Sequence, residues 1–317
     1  MKRDFLLFLT VLLLIFAGVV LGSRVLGLGE IFSSPIAELR LIRILAALII
    51  GGSLALAGMT FQAVLKNVLA EPFTLGISGG AGVGAALAVV LGLKSLTLYA
   101  VPFSALGGAL AVLLLVLIIS RNGSYGTESL LLSGIIAGTV CSSILMYLLS
   151  VAETEELANV TWWMLGDLQS VDLDLLIFQG IYALIATVIL FILGNDINAI
   201  SLGDEQAFYM GVNVKRVNFI LILTASLLAA GTVALAGIIS FCGLIIPHIV
   251  RKLWGSDHKK IIFTNFFAGG IFLMLCDIGS RSVFTARELP IGVLTAVIGG
   301  PVFLFLLNRR SKNGDNC

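Results

Sequence analysis

Nine stretches of the chain carry no charged residue for sixteen or more consecutive positions, and they constrain the fold more than any other sequence feature. A helix needs about 20 mostly apolar residues to cross a bilayer, so each stretch can form a crossing. Charged residues make up 12% of the chain, against about 25% in soluble domains. The sequence therefore predicts an all-α polytopic membrane protein and excludes a soluble domain. The stretches are residues 5–23, 44–65, 72–93, 95–120, 129–152, 175–195, 217–250, 261–276 and 289–308.

The seventh stretch predicts two crossings instead of one. Residues 217–250 make 34 positions, which is too many for one helix across a hydrocarbon core about 30 Å thick. Gly231, Gly237, Gly243 and Pro247 are candidate positions for a break. Basic residues flank both ends of the stretch, which favours two helices that return to the same side of the membrane. The total becomes about ten transmembrane helices.

An even number of crossings places both termini on one side, and the distribution of Lys and Arg indicates which side. With cytoplasmic termini, thirteen basic residues lie inside and six outside. We therefore predict a multi-pass protein of the cytoplasmic membrane with both termini in the cytoplasm. The first stretch follows Lys2 and Arg3 as a signal peptide would, but its 19 uncharged residues favour a retained helix. The six residues placed outside are Arg24, Arg40, Arg43, Lys94, Arg281 and Arg287.

Several function classes are disfavoured by what the sequence lacks. The formal net charge is +1 and there is no long basic tract, which argues against nucleic acid as a partner. A phosphate loop for ATP is missing. His248 and His258 are the only histidines and no cysteine pair has C-x-x-C spacing, so we predict no metal site and no cofactor. No acidic residue falls in the middle of a predicted span, which weakens an ion-coupled secondary transporter without excluding it.

One short motif leaves an enzymatic alternative open. The sequence Gly76-Ile77-Ser78-Gly79-Gly80 matches the G-x-S-x-G pattern of serine hydrolases, and His248 lies in an apolar stretch. That motif requires a turn between a strand and a helix. Ser78 instead follows Glu71 and Pro72 at the start of a glycine-rich span. Helix packing is therefore the favoured role for Ser78, and no catalytic residue is predicted.

The longest loop on the inner side contains a candidate partner-binding segment at residues 202–213. Asp204 and Glu205 favour the start of a helix and Gly211 favours its end. Phe208 and Met210 would be apolar residues exposed to water in this loop. A short helix that inserts into a soluble partner has this composition. The alternative is a helix that lies on the membrane surface.

On the opposite side, Arg40 and Arg43 are three residues apart and share a helix face. We expect them at the outer start of the second helix, where the helix dipole disfavours cations and an acidic partner would offset that cost. The alternative is that they reach lipid headgroups. Arg281 is predicted at the outer end of another helix, one turn after Asp277, with which it can form a structural ion pair.

Five ordered blocks of sequence carry a family resemblance that covers nearly the whole chain. The chain resembles the FecCD-type permeases, which are the transmembrane subunits of type II ABC importers for iron chelates, siderophores and cobalamin. The blocks are Arg40-Leu41-Ile42-Arg43, the run from Asn67 to Gly76, residues 202–213, Gly243-Leu244-Ile245-Ile246-Pro247-His248, and Glu288-Leu289-Pro290-Ile291-Gly292 together with Gly299-Gly300-Pro301-Val302-Phe303.

The resemblance implies one permease domain over residues 1–317 with ten helices and a cytoplasmic coupling loop at 202–216. It implies three kinds of protein partner in the lipid bilayer: a second permease copy or paralogue, a dimer of cytoplasmic ABC ATPases, and an extracytoplasmic substrate-binding protein. By resemblance, Arg40, Arg43 and Arg281 would meet acidic residues on the two lobes of the binding protein. The residues implied in ATPase coupling are Asp204, Glu205, Ala207, Gly211, Val212 and Asn213.

The function implied by the resemblance is transport without covalent chemistry in this chain. Hydrolysis of ATP by the partner would drive alternating access, and the cargo would pass between two permeases. Because almost no titratable side chain is expected at membrane depth, we predict a conduit of low affinity whose selectivity comes mainly from the binding protein. A ferric siderophore is the first expectation for the cargo, followed by heme, cobalamin and oxyanions such as molybdate.

Overall fold

The computed structural model describes residues 2–22, 27, 29, 34–93, 96, 97, 99–121, 127–283 and 288–313. Within these residues the secondary structure consists of thirteen α-helices and one 3₁₀ turn, Pro72–Leu75, with no strand. The helices are α1 Lys2–Val20, α2 Pro35–Val64, α3 Ile77–Val90, α4 Ala100–Arg121, α5 Thr127–Val151, α6 Thr154–Met164, α7 Leu173–Ile192, α8 Gly194–Leu202, α9 Asp204–Tyr209, α10 Val214–Ala236, α11 Cys242–Trp254, α12 His258–Val283 and α13 Ile291–Asn313.

Each predicted crossing coincides with one of these helices, and the 217–250 stretch contains two, α10 and α11. Six helices are long and apolar enough to cross a membrane, namely α2, α4, α5, α7, α10 and α12, while Leu6–Val20, Ile77–Val90 and Ile291–Leu306 are shorter apolar helices. The all-helical class is therefore confirmed. We call the face that carries Arg43 the outer face and the face that carries Asp204 the inner face. Three residues counted as outside, Arg24, Lys94 and Arg287, lie outside the described residues, as do the side chains of Lys2, Arg3, Arg121, Arg309, Arg310 and Lys312.

Helix α2 is the central element of the fold. In the most apolar 18-residue segment of α2, 83% of the residues are buried inside the protein, against 28% in the corresponding segment of α4 and 33% in those of α5 and α7. Glycines allow neighbouring backbones to approach it closely: a Cβ atom added to Gly58 would lie 1.8 Å from the carbonyl oxygen of Gly243 on α11. The peripheral helices expose apolar faces, as expected where lipid surrounds the protein.

The break inside the 217–250 stretch falls at residues 237–241, and the second helix is shorter than predicted. Gly237 ends α10 with φ 68° and ψ −158°, a conformation that is essentially restricted to glycine. Helix α11 has 13 residues, or about 20 Å of rise, which is less than the hydrocarbon core requires. The two helices predicted in this stretch are both present, and the second, α11, is shorter than a straight helix that spans the core alone.

Pro247 lies inside α11 and does not break it. Proline has no N–H, so the carbonyl oxygen of Gly243, four residues earlier, loses its helical partner. The side chain of Gln62 on α2 replaces that partner: its Nε2 donates to Gly243 O at 3.3 Å and to Leu244 O at 3.2 Å. Arg251 donates in turn to Gln62 Oε1. A buried side chain thus satisfies the carbonyl that the proline frees, as helices at membrane depth require.

Candidate transport site

The inner-face segment folds as two short helices, α8 and α9, followed by the start of α10. Gly203, with φ 139°, separates α8 from α9, and Gly211, with φ 85°, follows α9. The side chain of Asn213 caps α10 by accepting the N–H of Arg216 at 3.2 Å. The predicted short helix that begins at Asp204 is confirmed, and the end signal at Gly211 lies two residues beyond its last residue.

Helix α9 presents an apolar surface outward while one small residue faces the protein. Ala207 is fully buried, whereas Phe208, Tyr209 and Met210 are 70%, 78% and 62% exposed. We call these three residues the inner apolar surface. Its contiguous exposure at a helix end is the arrangement with which a helix inserts into a groove of a partner.

The α8–α9 unit is fastened to three neighbouring elements. Lys66, just beyond α2, forms an ion pair with Asp204, Nζ to Oδ1, at 2.7 Å. Asn198 on α8 donates to Asp257 Oδ1 at 2.9 Å and accepts the backbone N–H of His258 at 2.8 Å. Hydrogen bonds from the side chains of Lys260 and Asn198 hold the pKa of Asp257 below its usual value. These contacts link α9 to the end of α2, and α8 to the turn between α11 and α12.

On the outer face, Arg43 and Arg281 both contact Asp277, and Arg40 lies one helical turn before Arg43 on α2. Arg43 Nε donates to Asp277 Oδ1 at 2.5 Å and its Nη1 donates to Glu288 Oε2 at 2.6 Å. Arg281 Nη2 lies 2.7 Å from Asp277 Oδ2, a close ion pair without the alignment of a hydrogen bond. The predicted pairing of Asp277 with Arg281 is confirmed.

The same arginines are more deeply placed than the sequence indicated. Helix α2 begins at Pro35 with Ser34 as its N-cap, so Arg40 and Arg43 lie beyond the first turn and not at its start. Arg40 is 9% exposed and Arg281 is 3% exposed. Arg40 Nη1 donates to the carbonyl oxygens of Val19 and Val20, both at 3.1 Å. The two arginines therefore lie further inside the helix than its expected start, because α2 extends outward by nine residues more than its charge-free stretch.

Two non-helical segments meet near the middle of the membrane. The Sγ atom of Cys242, the first residue of α11, donates to the carbonyl oxygen of Gly51 at 3.3 Å, and Gly51 lies near the midpoint of α2. Helix α11 therefore begins at mid-depth, and residues 237–241 lead to it from the outer end of α10. From the inner side, residues 65–76 turn back into the fold, where Pro72 packs against Gly243.

Glu71 connects these two segments, and its position overturns one prediction. The backbone N–H of Phe241 donates to Glu71 Oε1 at 2.8 Å. A carboxyl group thus lies near mid-depth, although the sequence predicted no acidic residue in the middle of a span. The sequence placed Glu71 at the inner end of a span because charge counting cannot detect a loop that re-enters the membrane.

Ser78 has no hydrolase context in the described structure. It lies in the first turn of α3, after the 3₁₀ turn and Gly76. A nucleophile elbow joins a strand to a helix, and residues 34–76, all of which are described, contain no strand before this segment. Ser78 instead borders a small cavity between α3 and α5, which agrees with a packing role.

Comparison with protein families identifies this architecture. The model of the FecCD transport family matches residues 8–309. The chain belongs to the FecCD transport family. This FecCD permease is 39% identical to the Fe(3+)-citrate import system permease protein YfmE of Bacillus subtilis, over 92% of this chain and 86% of the relative. It is 38% identical to the vitamin B12 import system permease protein BtuC of Yersinia enterocolitica, over 86% and 81% of the two chains.

Solved structures agree with the family assignment. A transporter described as a metal-chelate type ABC transporter in an inward-facing conformation matches with a TM-score of 0.88 and 30% identity, over 97% of this FecCD permease and 98% of that chain. PsaBC from Streptococcus pneumoniae, in complex with Fab, matches with a TM-score of 0.60 at 16% identity, over 87% and 92% of the chains, and shares the fold. The chain is thus a multi-pass transport permease of the type II ABC importer fold and not an enzyme. Permeases of this kind work with an ATPase and a substrate-binding protein.

Proposed function

We propose that this FecCD permease imports a metal chelate or a corrinoid across the cytoplasmic membrane, with a ferric siderophore or ferric citrate as the first candidate cargo. The observation that carries the proposal is the match over nearly the full length to a metal-chelate type ABC transporter, with a TM-score of 0.88. The permeases for ferric citrate and vitamin B12 among its relatives support the cargo class. Heme, cobalamin and molybdate remain the other candidates.

The subunit arrangement is part of the same proposal. The chain forms one permease domain over residues 1–317, supported by a family match that spans residues 8–309. Its termini lie in the cytoplasm, and it pairs with a second permease copy around a central pathway. Two ATPase subunits cover the inner face. This assignment is supported by the excess of basic residues predicted on that face and by the exposed inner apolar surface.

Uptake by proteoliposomes tests the energy source and the cargo together. The permease is reconstituted with the ATPase and the binding protein encoded beside it, and radiolabelled ferric siderophore, ferric citrate, heme, cobalamin and molybdate are compared. We expect uptake of one chelate that requires ATP and stops when the ATPase carries a hydrolysis-deficient substitution. Uptake that proceeds without the ATPase under an ion gradient would instead establish a secondary transporter.

We propose that residues 204–213 couple ATP hydrolysis to transport. Glu205 is exposed, Ala207 is buried beneath α9, and Gly211 adopts a left-handed conformation that a larger residue would strain. The neighbouring Asp204, Val212 and Asn213 fix the segment through an ion pair, a backbone hydrogen bond to Ala207 and a helix cap. Glu205→Ala combined with Gly211→Val should lower the cargo moved per ATP hydrolysed. An unchanged ratio of uptake to hydrolysis would refute the coupling role.

We also propose that the outer arginine cluster docks the binding protein by exchange of ion-pair partners. Glu288 is 32% exposed at its side chain and holds Arg43, so an incoming carboxylate of the binding protein would compete with it. Arg40 and Arg281 add positive potential beside that position, since both carry charge within the same cluster.

Removal of the internal competitor tests this docking mode. Glu288→Gln should strengthen association with the binding protein several-fold at low salt, because Arg43 then keeps Asp277 alone as an internal anionic partner and its Nη1 is released for an incoming carboxylate. The matched control is Asp174→Asn, which removes an exposed carboxylate from the first turn of α7. Equal effects of the two substitutions would show that only the general charge of the outer face matters, and weaker binding in Glu288→Gln would overturn the exchange.

A further inference from the structure

Helix α11 has an unusual start, because its first backbone N–H groups lie at membrane depth. Such groups have no intrahelical partners, and an unsatisfied N–H in hydrocarbon costs several kcal/mol. The N–H of Cys242 donates to Ser240 O at 2.9 Å, and the N–H of Phe241 donates to Glu71 Oε1 at 2.8 Å. Glu71 therefore caps a half-length helix from a different part of the chain.

The backbone on the other side of this contact is held in an uncommon conformation. Phe241 has φ 68°, and among the described residues only Lys66 shares a positive φ without being glycine. Such a conformation persists when the surroundings determine it. Two neighbours do so here: the Glu71 carboxylate fixes the N–H, and Gly299 on α13 leaves room for the Phe241 side chain, since a Cβ atom there would lie 2.5 Å from Phe241 Cβ.

The contact lies between the elements that reach the two faces of the protein. Five residues before Glu71, Lys66 binds Asp204 of α9 at the inner face. Five residues before Phe241, α10 ends at Ala236, whose carbonyl oxygen accepts the N–H of Asp167 on the outer side. Gly292 at the start of α13 donates its N–H to Leu165 O in the same outer junction. The Glu71–Phe241 hydrogen bond is thus a direct link between a loop fastened to the inner face and a loop fastened to the outer face.

We propose that Glu71 is a positioning residue for transport, whose carboxylate makes the re-entrant loop 65–76 and the broken α10–α11 connection move together when α9 is displaced. The inference rests on the proposed function, because it concerns how movement at the ATPase reaches the outer junction. Glu71, Ile238, Ser240 and Phe241 are half-buried in the single chain. Because irregular backbone at membrane depth is tolerated only against protein or water, we infer that their exposed sides face the pathway or the second permease and not lipid.

Hydrogen–deuterium exchange of the isolated permease in micelles tests the contact without ATPase, binding protein or cargo. Glu71→Ala should speed exchange of peptides that cover residues 237–245 roughly tenfold or more, because the hydrogen bond to the Phe241 N–H is lost. Glu71→Gln keeps an oxygen acceptor at the same reach and should stay near the wild type. Glu71→Asp keeps the charge but is one methylene shorter, so it should behave like Glu71→Ala. The control Glu38→Ala, which removes an exposed carboxylate of α2, should change nothing.

Uptake per ATP hydrolysed, measured with the same variants in the reconstituted importer, tests the positioning role. Glu71→Ala and Glu71→Asp should lower this ratio, and Glu71→Gln should restore it. Wild-type exchange in both Glu71→Ala and Glu71→Asp would overturn the contact, and faster exchange with an unchanged ratio would overturn the positioning role. If Glu71→Ala fails to fold, the pair Glu71→Asp and Glu71→Gln decides alone. If the wild type shows no ATP-driven uptake, the proposed function fails while the exchange result stands.

Discussion

The side chains that we propose for partner binding are largely buried at the outer face of this permease and exposed at its inner face. At the outer face, Arg281 is buried, the Arg43 side chain is only 11% exposed, and both are bound to Asp277 within the chain. At the inner face, the inner apolar surface is 62% to 78% exposed and lies on a helix of six residues. The outer groups therefore already stabilise the fold, whereas the inner groups gain their burial only when a partner covers them. Substitutions at the two faces should separate stability from association.

The largest effect is expected at Asp277, the carboxylate shared by Arg43 and Arg281. Its side chain is fully buried, and removal of one partner from a buried ion pair destabilises a protein by about 3–5 kcal/mol. Asp277→Asn should lower the free energy of unfolding in micelles by an amount of that order. Asp174→Asn at the exposed start of α7 should leave it nearly unchanged. Equal stabilities of the two variants would remove the contrast between the faces.

At the inner apolar surface, Phe208→Ala should leave the free energy of unfolding nearly unchanged and weaken association with the ATPase. Exposed positions away from packed features change stability by no more than about 0.5 kcal/mol. A buried aromatic anchor at an interface contributes about 2 kcal/mol or more, so ATPase association should weaken roughly 30-fold. Phe178→Ala is the matched control, since Phe178 is 71% exposed on α7. Binding affinity that is equally reduced by both substitutions would contradict a specific inner surface.

A smaller effect is expected for the ion pair that fastens α9 to the end of α2. The side chains of Lys66 and Asp204 are 31% and 53% exposed, and exposed pairs of this kind contribute about 0–1 kcal/mol. Lys66→Met should lower the unfolding free energy within that range, and the difference should shrink at high salt. Lys215→Met removes an exposed charge of the same sign from the start of α10. A salt-independent loss in Lys66→Met would show that packing, not charge, fastens α9.

The smallest effect is expected from the pH dependence of Asp257. Hydrogen bonds from Lys260 and Asn198 lower its pKa in the folded protein. A carboxyl group with a depressed folded pKa stabilises the fold above its unfolded pKa of about 4, and this contribution is lost as pH falls through the folded value. Melting temperatures of the wild type and Asp257→Asn should therefore differ slightly near neutral pH and converge in acid. A difference in melting temperature that widens in acid would contradict a lowered pKa of Asp257 in the folded protein.

The sequence predicted the features that depend on composition along one continuous segment. Charge-free stretches located the apolar helices, and the residues from Asp204 to Gly211 located α9, because helix ends depend on local charge and on glycine. The depth of Glu71 could not be predicted, since it depends on where residues 65–76 pack against α2 and α11. The continuity of α11 through Pro247, a candidate break position, was missed for a related reason: Gln62, distant in sequence, satisfies the carbonyl freed by Pro247. The burial of Arg40 followed from the start of α2 at Pro35, outside the charge-free stretch.

The residues of the inner apolar surface can vary in sequence without a change in the fold, because Ala207 alone holds α9 against the protein. Because this one small residue faces the protein and is fully buried, it fixes how the helix sits, while the three exposed side chains that follow make little contact with the fold. Those three positions can therefore diverge without refolding the permease. Two related importers in one cell could each pair with their own ATPase through changes at these positions alone. A chimera that exchanges only residues 208–210 would be the smallest exchange that redirects one permease to the ATPase of the other.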